Sequence, residues 1–262
     1  KPVVYVPGDN EWTDCHRLNN GGMDSLERLN YVRSQMYPSL NSFGKTTLAL
    51  QHQGALKEKF VENTRFIYSG IVFAGFNMPG SNNNKVLNEK DCTQKSARTP
   101  LQCKAANQEY LERDKANISW MQEAFSQAKQ AKAKGIVLVV QGDPGFDLPE
   151  TEDLDETTLA KHSGYTEFMK QLAEQTQNFE GQVLFVHGDT HLFRVNRPLL
   201  NPKTGRFFDN FTRLEVFGDP DSHWVRVTVD PAKPGLFTID AETVPENKAT
   251  NRFPAGTRPP MM

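Results

Sequence analysis

Short apolar runs along the chain alternate with longer segments in which apolar residues recur at helical spacing. The short runs predict buried strands, and the amphipathic segments predict helices with one buried side. The runs that predict strands are Val3 to Asn10, Arg65 to Met78 as two adjacent strands, Ile136 to Gln141 and Gln182 to His187. The segments that predict helices are Met23 to Met36, Ala105 to Lys134 and Thr158 to Gln177.

The last part of the chain changes to a pattern of strands. Three β-rich segments follow, over residues 211–218, 223–230 and 235–243. Strands that alternate with helices and then run on as strands are typical of an α/β layered domain, an α+β sandwich with antiparallel strands at its end. The chain shows no internal repeat and no clear linker, so the sequence predicts one domain over residues 1–262.

Three segments have too few apolar residues to form part of a core. Residues 79–104 predict a long polar loop, and residues 142–156 predict an acidic, solvated loop. The Pro-rich tail, residues 246–262, is expected to lie over the surface.

Charge and hydropathy exclude two classes of partner. The 30 Lys and Arg residues oppose 32 Asp and Glu residues, which gives a net charge of −2 and argues against a general nucleic-acid binder or a polybasic membrane binder. No apolar run approaches the roughly 18 residues that a membrane-spanning helix needs. We therefore expect no general nucleic-acid binding and no membrane span.

The three cysteines are too few for a disulfide scaffold. Cys92 and Cys103 flank a short polar stretch, and their spacing is compatible with one bridge in an oxidising compartment or with two free thiols. Cys15 is left over in either case.

Polar side chains follow the predicted strands at the points where the strands end. Carboxyl ends of strands are where α/β sheets assemble ligand sites. Carboxylate, imidazole and amide groups together suit a divalent metal ion such as Zn, Mn or Fe. The polar clusters are Asp9, then Ser81 with Asn82, Asn83 and Asn84, then Gln141 with Asp143, and finally His187, Asp189 and His191.

Each of these clusters also has a structural explanation. A Gly-Asp pair such as Gly8-Asp9 often caps a turn, and the His and Asp side chains of residues 187–191 can satisfy one another within a loop. Spacing alone leaves both interpretations open.

Taken together, the motifs resemble those of the calcineurin-like metallophosphoesterases. GDNEWTDC at Gly8 to Cys15 is similar to the Gly-Asp-x-x-Asp block of that family, GSNN at Gly80 to Asn83 to its Gly-Asn-His-Glu/Asp block, and GDTH at Gly188 to His191 to its Gly-His-x-His block. The strand Ile136 to Gln141 takes the place of one that usually ends in a metal-binding His. The resemblance spans Val3 to about Val229 and is nearest to a branch with GDNEWTDCHR, GSNN and HGD(S/T)H motifs.

The resemblance implies a fold, a reaction and a set of residue roles. The fold would be the calcineurin-like metallophosphoesterase fold, with two divalent metal ions (Zn, Mn or Fe) at the strand ends. The reaction would be hydrolysis of a phosphate ester by a metal-bound hydroxide. The implied metal ligands are Asp9, which would bridge both metals, Asn82, Gln141, His187 and His191; the implied catalytic residues are Asn83 and Asp189, and the implied substrate contacts are Asp14, His16 and Arg194.

The sequence also departs from the family pattern. Gln141 and Asp189 stand where the family has metal-binding histidines, and Asn83 follows Asn82 where a general-acid His belongs. His187 lies two residues before Asp189 and is the candidate to compensate. The three implied substrate contacts have structural alternatives as loop caps or solvated surface groups. These departures favour an alternative from another class, a non-catalytic binding protein with a degraded metal site.

The opening strand of the family would lie before Lys1. The resemblance therefore implies either that an upstream segment or chain completes the sheet or that the site binds at most one metal weakly, and we favour the first. Because Val3 to Val6 is fully apolar, we expect it to be an interior strand with an unpaired edge or a groove beside it.

The family branch further implies a secreted or periplasmic protein. In that setting a bridge between Cys92 and Cys103 would tether the long polar loop, with their Cα atoms within about 7 Å of each other. We also expect Asp9, Asn82 and His191 to converge in one cleft, although they are far apart in the sequence.

Overall fold

The molecule is built on one large mixed sheet, with a two-stranded sheet beside it. The structure, a computed structural model, describes residues 1–146, 162–220 and 222–247. The strands are β1 (Gln51–His52), β2 (Thr64–Tyr68), β3 (Ile71–Gly75), β4 (Gly135–Val139), β5 (Gln182–His187), β6 (Arg194–Asn196), β7 (Phe211–Glu215), β8 (Trp224–Val229) and β9 (Phe237–Glu242). The seven-stranded sheet has the order β1-β2-β3-β4-β5-β7-β6, and β8 pairs with β9 in the second sheet.

The centre of the large sheet is parallel. Strands β3, β4, β5 and β7 run in one direction, whereas β1, β2 and β6 are antiparallel to the strands beside them. Parallel strands are normally buried on both faces, which explains why β4 and β5 read as continuous apolar runs in the sequence. The carboxyl ends of these parallel strands therefore share one edge of the sheet.

Most of the described helices begin where a side chain caps them. The described helices are α1 (Ser25–Met36), α2 (Glu89–Thr93), α3 (Pro100–Gln130) and α4 (Thr166–Gln177). The Asp24 carboxylate accepts the first free N–H groups of α1. Thr99 and Gln102 form a capping box at the start of α3, with Pro100 in the first turn. This cap starts α3 five residues earlier than the apolar spacing predicted.

The two faces of the large sheet are covered by different layers. Helices α3 and α4 pack on one face, where Phe125 and Phe168 are fully buried against residues such as Phe185. The β8–β9 hairpin covers the other face and places Val227 and Ile239 against Leu184. The α/β layered architecture predicted from the sequence is confirmed at this level.

The N-terminal segment differs from its prediction. Val3 forms an isolated antiparallel bridge with Phe43 and is 55% exposed, and residues 3–6 belong to neither sheet. Pro2 and Pro7 flank the segment and have no N–H group to donate to a strand ladder. The predicted interior strand is therefore wrong, and the upstream partner expected beside it stays a prediction.

The polar region 79–104 is more ordered than predicted. It contains a tight turn at Gly80–Asn83, the short helix α2 and the first residues of α3. A disulfide joins Cys92 in α2 to Cys103 in α3, with a Cα–Cα distance of 5.9 Å, while Cys15 is a buried free thiol. The bridge that the sequence left open is thus formed and ties α2 to α3.

Other predicted segments lie partly outside the described residues. These are most of the acidic loop, the beginning of the helix predicted from Thr158, and the tail beyond residue 247. No helix in the described ranges has the length and apolar character needed to cross a membrane.

Candidate functional site

Polar residues gather at the carboxyl edge of the parallel strands, where the sequence predicted them. The chain continues from β3 to Gly80, from β4 to Gln141 and from β5 to Asp189. The Gln141 Oε1 atom accepts a hydrogen bond from the Gly80 N–H at 2.6 Å, and its Nε2 donates to Asp189 Oδ1 at 3.1 Å. One amide therefore joins three strand ends.

Asp9 reaches the same place from the N-terminal segment. Its backbone N–H donates to Gln141 Oε1 at 3.1 Å, and its Oδ1 accepts from Gln141 Nε2 at 3.0 Å. The Gln141 oxygen is thus occupied by two backbone N–H groups, and its nitrogen by two carboxylates. Gln141 holds Asp9 and Asp189 side by side, which replaces the metal-ligand role implied for it.

Glycine is required at position 80 because the two carboxylates face it. A Cβ atom added to Gly80 would lie 2.7 Å from Oδ2 of Asp9 and 2.7 Å from Oδ2 of Asp189, well inside contact distance. Both carboxylates therefore border one small space. We call Asp9 and Asp189 the carboxylate pair.

The carboxylate pair places two like charges together in a partly buried position. Burial and then the negative charge of Asp9 raise the pKa of Asp189 to about 6. At neutral pH the pair therefore has an excess of negative charge that a cation would neutralise.

The turn next to the pair has an unusual backbone. Residues 81–84 all have φ between 54° and 62°, and Asp189 and His191 also have positive φ values of 77° and 64°. Left-handed backbone costs most L-residues about 1–2 kcal/mol each, and Asn tolerates it better than most. The run of asparagines thus has a conformational cause, and such concentrated strain is characteristic of functional sites.

The two asparagines implied as functional residues are held by protein groups. The Asn82 Oδ1 atom accepts from the Gly164 N–H at 2.7 Å, and its Nδ2 donates to the Lys85 carbonyl at 3.2 Å. Asn83 is fully buried, donates to the Gly164 carbonyl at 2.9 Å and accepts from Arg113. This geometry corrects the catalytic role implied for Asn83 to a structural one, and it turns the Asn82 oxygen away from the ligand role.

Arg113 organises a larger buried group, the asparagine network, which consists of Arg113 with Asn63, Asn77, Asn83 and Asn117. Arg113 donates to the backbone carbonyls of Asn77 at 3.0 Å and Asn83 at 2.9 Å, and Asn117 also donates to the Asn77 carbonyl, at 2.9 Å. Asn63 joins the network through hydrogen bonds to Asn117 and to the Asn77 N–H. The network therefore holds the backbone of the turn at Gly80–Asn83 in place.

Asp14 and His16 lie near the same turn. Asp14 forms an ion pair with Arg17 at 2.6 Å and accepts a hydrogen bond from Ser81, while Arg17 Nη2 donates to Ser81 Oγ at 2.9 Å. His16 lines the adjoining cavity, and its Nδ1 lies 2.8 Å from Ser96 Oγ. Asp14 therefore positions Arg17. The charged side chain of Arg17 is exposed, whereas that of Asp14 is buried.

The remaining candidates have other surroundings. His187 is buried on the helix-covered face of β5, where its ring packs near Phe146 and Phe185. The His191 Nδ1 atom donates to the Asp219 carbonyl at 2.8 Å. A hydrogen bond from Nδ1 to a carbonyl, as in His191, is the contact that commonly orients a metal-binding imidazole. The ligand roles implied for both histidines stay predictions.

Arg194 pairs with a buried acid. Its Nη2 lies 2.6 Å from Oε2 of Glu215, which is fully buried. Arg194 is thus paired with Glu215, and the substrate contact implied for it stays a prediction.

A cavity of about 660 Å³ opens beside the carboxylate pair. This volume is in the range of small-molecule sites. Asn82, Asp143 and Asp189 line it, together with basic residues that the sequence did not single out. Arg17 is the last residue of the GDNEWTDCHR motif, whereas nothing in the local sequence marks Lys85 or Arg98.

The donor set decides which metal centre this site fits. Among the residues that the structure describes, no three His, Cys, Asp or Glu side chains are grouped as a metal site. The carboxylate pair offers oxygen ligands that suit one hard divalent cation such as Mn. A second cation would have fewer ligands available, because backbone N–H groups engage the side-chain oxygens of Asn82 and Gln141.

Comparison of the chain with models of protein families, with curated proteins and with solved structures finds no match.

Proposed function

We propose that the protein is a divalent-cation-dependent phosphoesterase centred on the carboxylate pair. The observation that carries this proposal is the convergence of Asp9 and Asp189 on Gly80, although 180 positions separate the two acids in the sequence. The three motif blocks that resemble calcineurin-like metallophosphoesterases thus supply neighbouring groups. Their meeting at the carboxyl edge of a layered α/β sheet supports membership of that fold family.

One cation held by Asp9 and Asp189 would supply Lewis-acid chemistry, lowering the pKa of a bound water and neutralising charge on a phosphoryl group. The chain's own residues do the positioning. Gln141 fixes both carboxylates through its amide nitrogen, and Gly80 keeps the space in front of them clear.

Arg17 is the residue best placed to bind the phosphate group. Its side chain is 44% exposed and lines the cavity, while Asp14 and Ser81 hold its guanidinium in place. Guanidinium groups bind phosphate oxygens through paired, charge-assisted hydrogen bonds. Arg17 therefore orients the ester beside the carboxylate pair.

One observation favours a second function, that of a metal-free binding protein. The Gln141 amide donates to both members of the carboxylate pair, so each carboxylate has a hydrogen bond without a cation. Such a protein would bind an anionic ligand in the cavity and hydrolyse nothing.

The decisive experiment compares cation binding with turnover. Protein stripped with EDTA is titrated with Mn²⁺ by calorimetry, and hydrolysis of p-nitrophenyl phosphate is measured with and without Mn²⁺. We expect one Mn²⁺ per chain and Mn²⁺-dependent hydrolysis. Asp9→Asn and Asp189→Asn should each lower Mn²⁺ affinity and hydrolysis by at least about 100-fold, because each removes a charged oxygen ligand.

Glu180→Gln is the matched control, since it removes one exposed surface carboxylate and should change neither quantity. A folded wild-type protein that binds no Mn²⁺ and releases no nitrophenol would contradict the phosphoesterase and support the binding protein.

We further propose that the protein is secreted or periplasmic. The Cys92–Cys103 disulfide supports this location, because structural disulfides persist in oxidising compartments. Fractionation of the native host, with the protein followed by an antibody, tests it; recovery from the cytosol alone would contradict it.

A further inference from the structure

The cavity beside the carboxylate pair is rich in positive charge. Its basic wall consists of Arg17, Lys85, Lys95 and Arg98, which come from the segments that follow the first and second motif blocks. The acidic residues of the lining are Asp91, Asp143 and Asp189, of which Asp189 belongs to the carboxylate pair. The site thus combines a place for a cation with several groups that bind anions.

Arg98 is held toward the cavity by neutral partners. Its Nη2 donates to Ser25 Oγ at 3.0 Å and to Asn84 Oδ1 at 2.9 Å. Burial lowers the pKa of Arg98 to about 10, so the group remains a cation at neutral pH. These two contacts orient the guanidinium, while the carboxylates of Asp91, Asp24 and Asp14 lie near enough to offset part of its charge.

Lys85 is oriented in a similar way. Its ammonium donates to the Ser163 carbonyl at 3.3 Å and lies 5.5 Å from the centre of the Tyr110 ring. Lys95 is exposed and lines the same cavity. The charges of Arg98 and Lys85 are therefore held in place before any ligand arrives.

Two neighbouring polar atoms also point to a ligand. The Nδ1 of His162, which lines the cavity, and the Oγ of Ser163 are buried and have no hydrogen-bond partner within the part of the chain that the structure describes. Buried polar atoms are nearly always paired, so the unpaired Nδ1 of His162, which belongs to the cavity lining, is open to a partner supplied by a ligand. A phosphate group offers several acceptor oxygens to such donors.

We propose that the basic wall binds a second phosphate group, so that the preferred substrate is a small bisphosphate. The proposal rests on the phosphoesterase function: a cation at the carboxylate pair and Arg17 serve the phosphoryl group that reacts, which leaves Lys85, Lys95 and Arg98 for another anion. The cavity of about 660 Å³ is also much larger than a single phosphoryl group needs.

The field of the basic wall acts on His16 as well. Burial, and then the positive charges of Arg98 and Arg17, lower the pKa of His16 to about 4. His16 is therefore neutral at neutral pH and can hydrogen-bond a ligand without adding charge.

The test measures binding apart from turnover. Metal-free protein is titrated by calorimetry with fructose 1,6-bisphosphate and with its matched monoester, fructose 6-phosphate. We expect the bisphosphate to bind at least about tenfold more tightly, since each charge-assisted contact contributes substantially. Lys95→Gln and Arg98→Gln should each remove most of this preference, whereas Lys115→Gln, an exposed lysine of α3 outside the cavity lining, should preserve it.

Arg98→Gln also loses contacts to Ser25 and Asn84, so Lys95→Gln decides the result if the first variant fails to fold. The inference is overturned if the wild type binds fructose 1,6-bisphosphate and fructose 6-phosphate with equal affinity. It is also overturned if the preference for the bisphosphate persists in both Lys95→Gln and Arg98→Gln. Bisphosphate preference in a protein that hydrolyses no ester contradicts the phosphoesterase alone. Hydrolysis of p-nitrophenyl phosphate without any bisphosphate preference contradicts this inference alone.

Discussion

Two polar groups meet at the turn Gly80–Asn83, and they are built on opposite principles. In the asparagine network, the Arg113 guanidinium meets backbone carbonyls and amide oxygens, and it also pairs with Glu109 at 2.5 Å. In the carboxylate pair, Asp9 and Asp189 repel each other and share the single amide of Gln141. In the first group every guanidinium nitrogen of Arg113 has an acceptor, although the Oδ1 of Asn77 has no partner among the described residues; the second group concentrates like charge.

This difference separates structure from function. A buried charge with a full set of partners stabilises one conformation, and removal of one partner is costly. Like charges held together lower the stability of the ligand-free protein and are characteristic of sites that bind something. The asparagine network therefore holds the turn at Gly80–Asn83 in place, and the carboxylate pair beside the turn carries charge that is not balanced.

The largest expected effect comes from breaking the asparagine network. Arg113→Met should lower the free energy of unfolding by about 3–5 kcal/mol, because the carbonyls of Asn77 and Asn83 and the carboxylate of Glu109 lose their buried partner. Urea denaturation at pH 7 measures this change.

Lys115→Met is the control for that experiment, since Lys115 lies on the exposed side of the same helix. Its effect should stay within about 0.5 kcal/mol. A loss below about 1 kcal/mol in Arg113→Met would show that the asparagine network does not support the fold in the way described.

A smaller effect of opposite sign is expected in the carboxylate pair. Asp189→Asn should raise the free energy of unfolding of metal-free protein at pH 7 by about 2 kcal/mol. Asn removes the repulsion with Asp9, can donate a hydrogen bond to it, and tolerates the φ of 77° at this position. Under the proposed function the same substitution should weaken cation binding by at least about 100-fold, so stability and function should move in opposite directions.

The pH dependence gives that prediction its sign. The pKa of Asp189 is raised to about 6 in the folded protein, so its contribution is favourable at low pH and is lost as the pH rises from about 4 through 6. Asp189→Asn should abolish this loss in thermal denaturation curves between pH 4 and 7, with Glu180→Gln as the surface control. An unchanged pH profile would mean that the two carboxylates do not interact as the geometry implies.

The sequence allowed prediction of the sheet edge and of Asp9 and Asp189 as its charged residues. Apolar runs mark β4 and β5 because both of their faces are buried, and polar residues follow where each strand ends. Both signals lie in the local sequence, so they can be recognised without knowledge of the fold.

The roles of the neighbouring residues depend on contacts that the sequence does not contain. Asn82 and Asn83 stand next to each other in one motif, yet Asn82 lines the cavity and Asn83 is buried against Arg113, which is 30 positions away. The Arg98 side chain lines the cavity because hydrogen bonds to Ser25 and Asn84 orient it. Spacing predicts which residues meet at a strand end, but the direction of each side chain follows from the backbone of the turn.

The smallest predicted effect concerns His16, which lines the same cavity and lies near its positive charges. Burial and the nearby cations Arg98 and Arg17 lower the pKa of His16 to about 4, so the folded protein resists its protonation. Its contribution to stability is complete above about pH 6.5 and is lost as the pH falls toward 4. His16→Gln removes this loss and keeps a side chain that can hydrogen-bond Ser96. The difference in free energy of unfolding, variant minus wild type, should therefore be about 1 kcal/mol more favourable at pH 5 than at pH 7.5, allowing for partial solvent exposure. Asn19→Gln, in the same cavity lining and without a titratable group, should follow the wild-type profile in urea denaturation at both pH values. If His16→Gln also follows it, the positive field assigned to the basic wall does not reach His16.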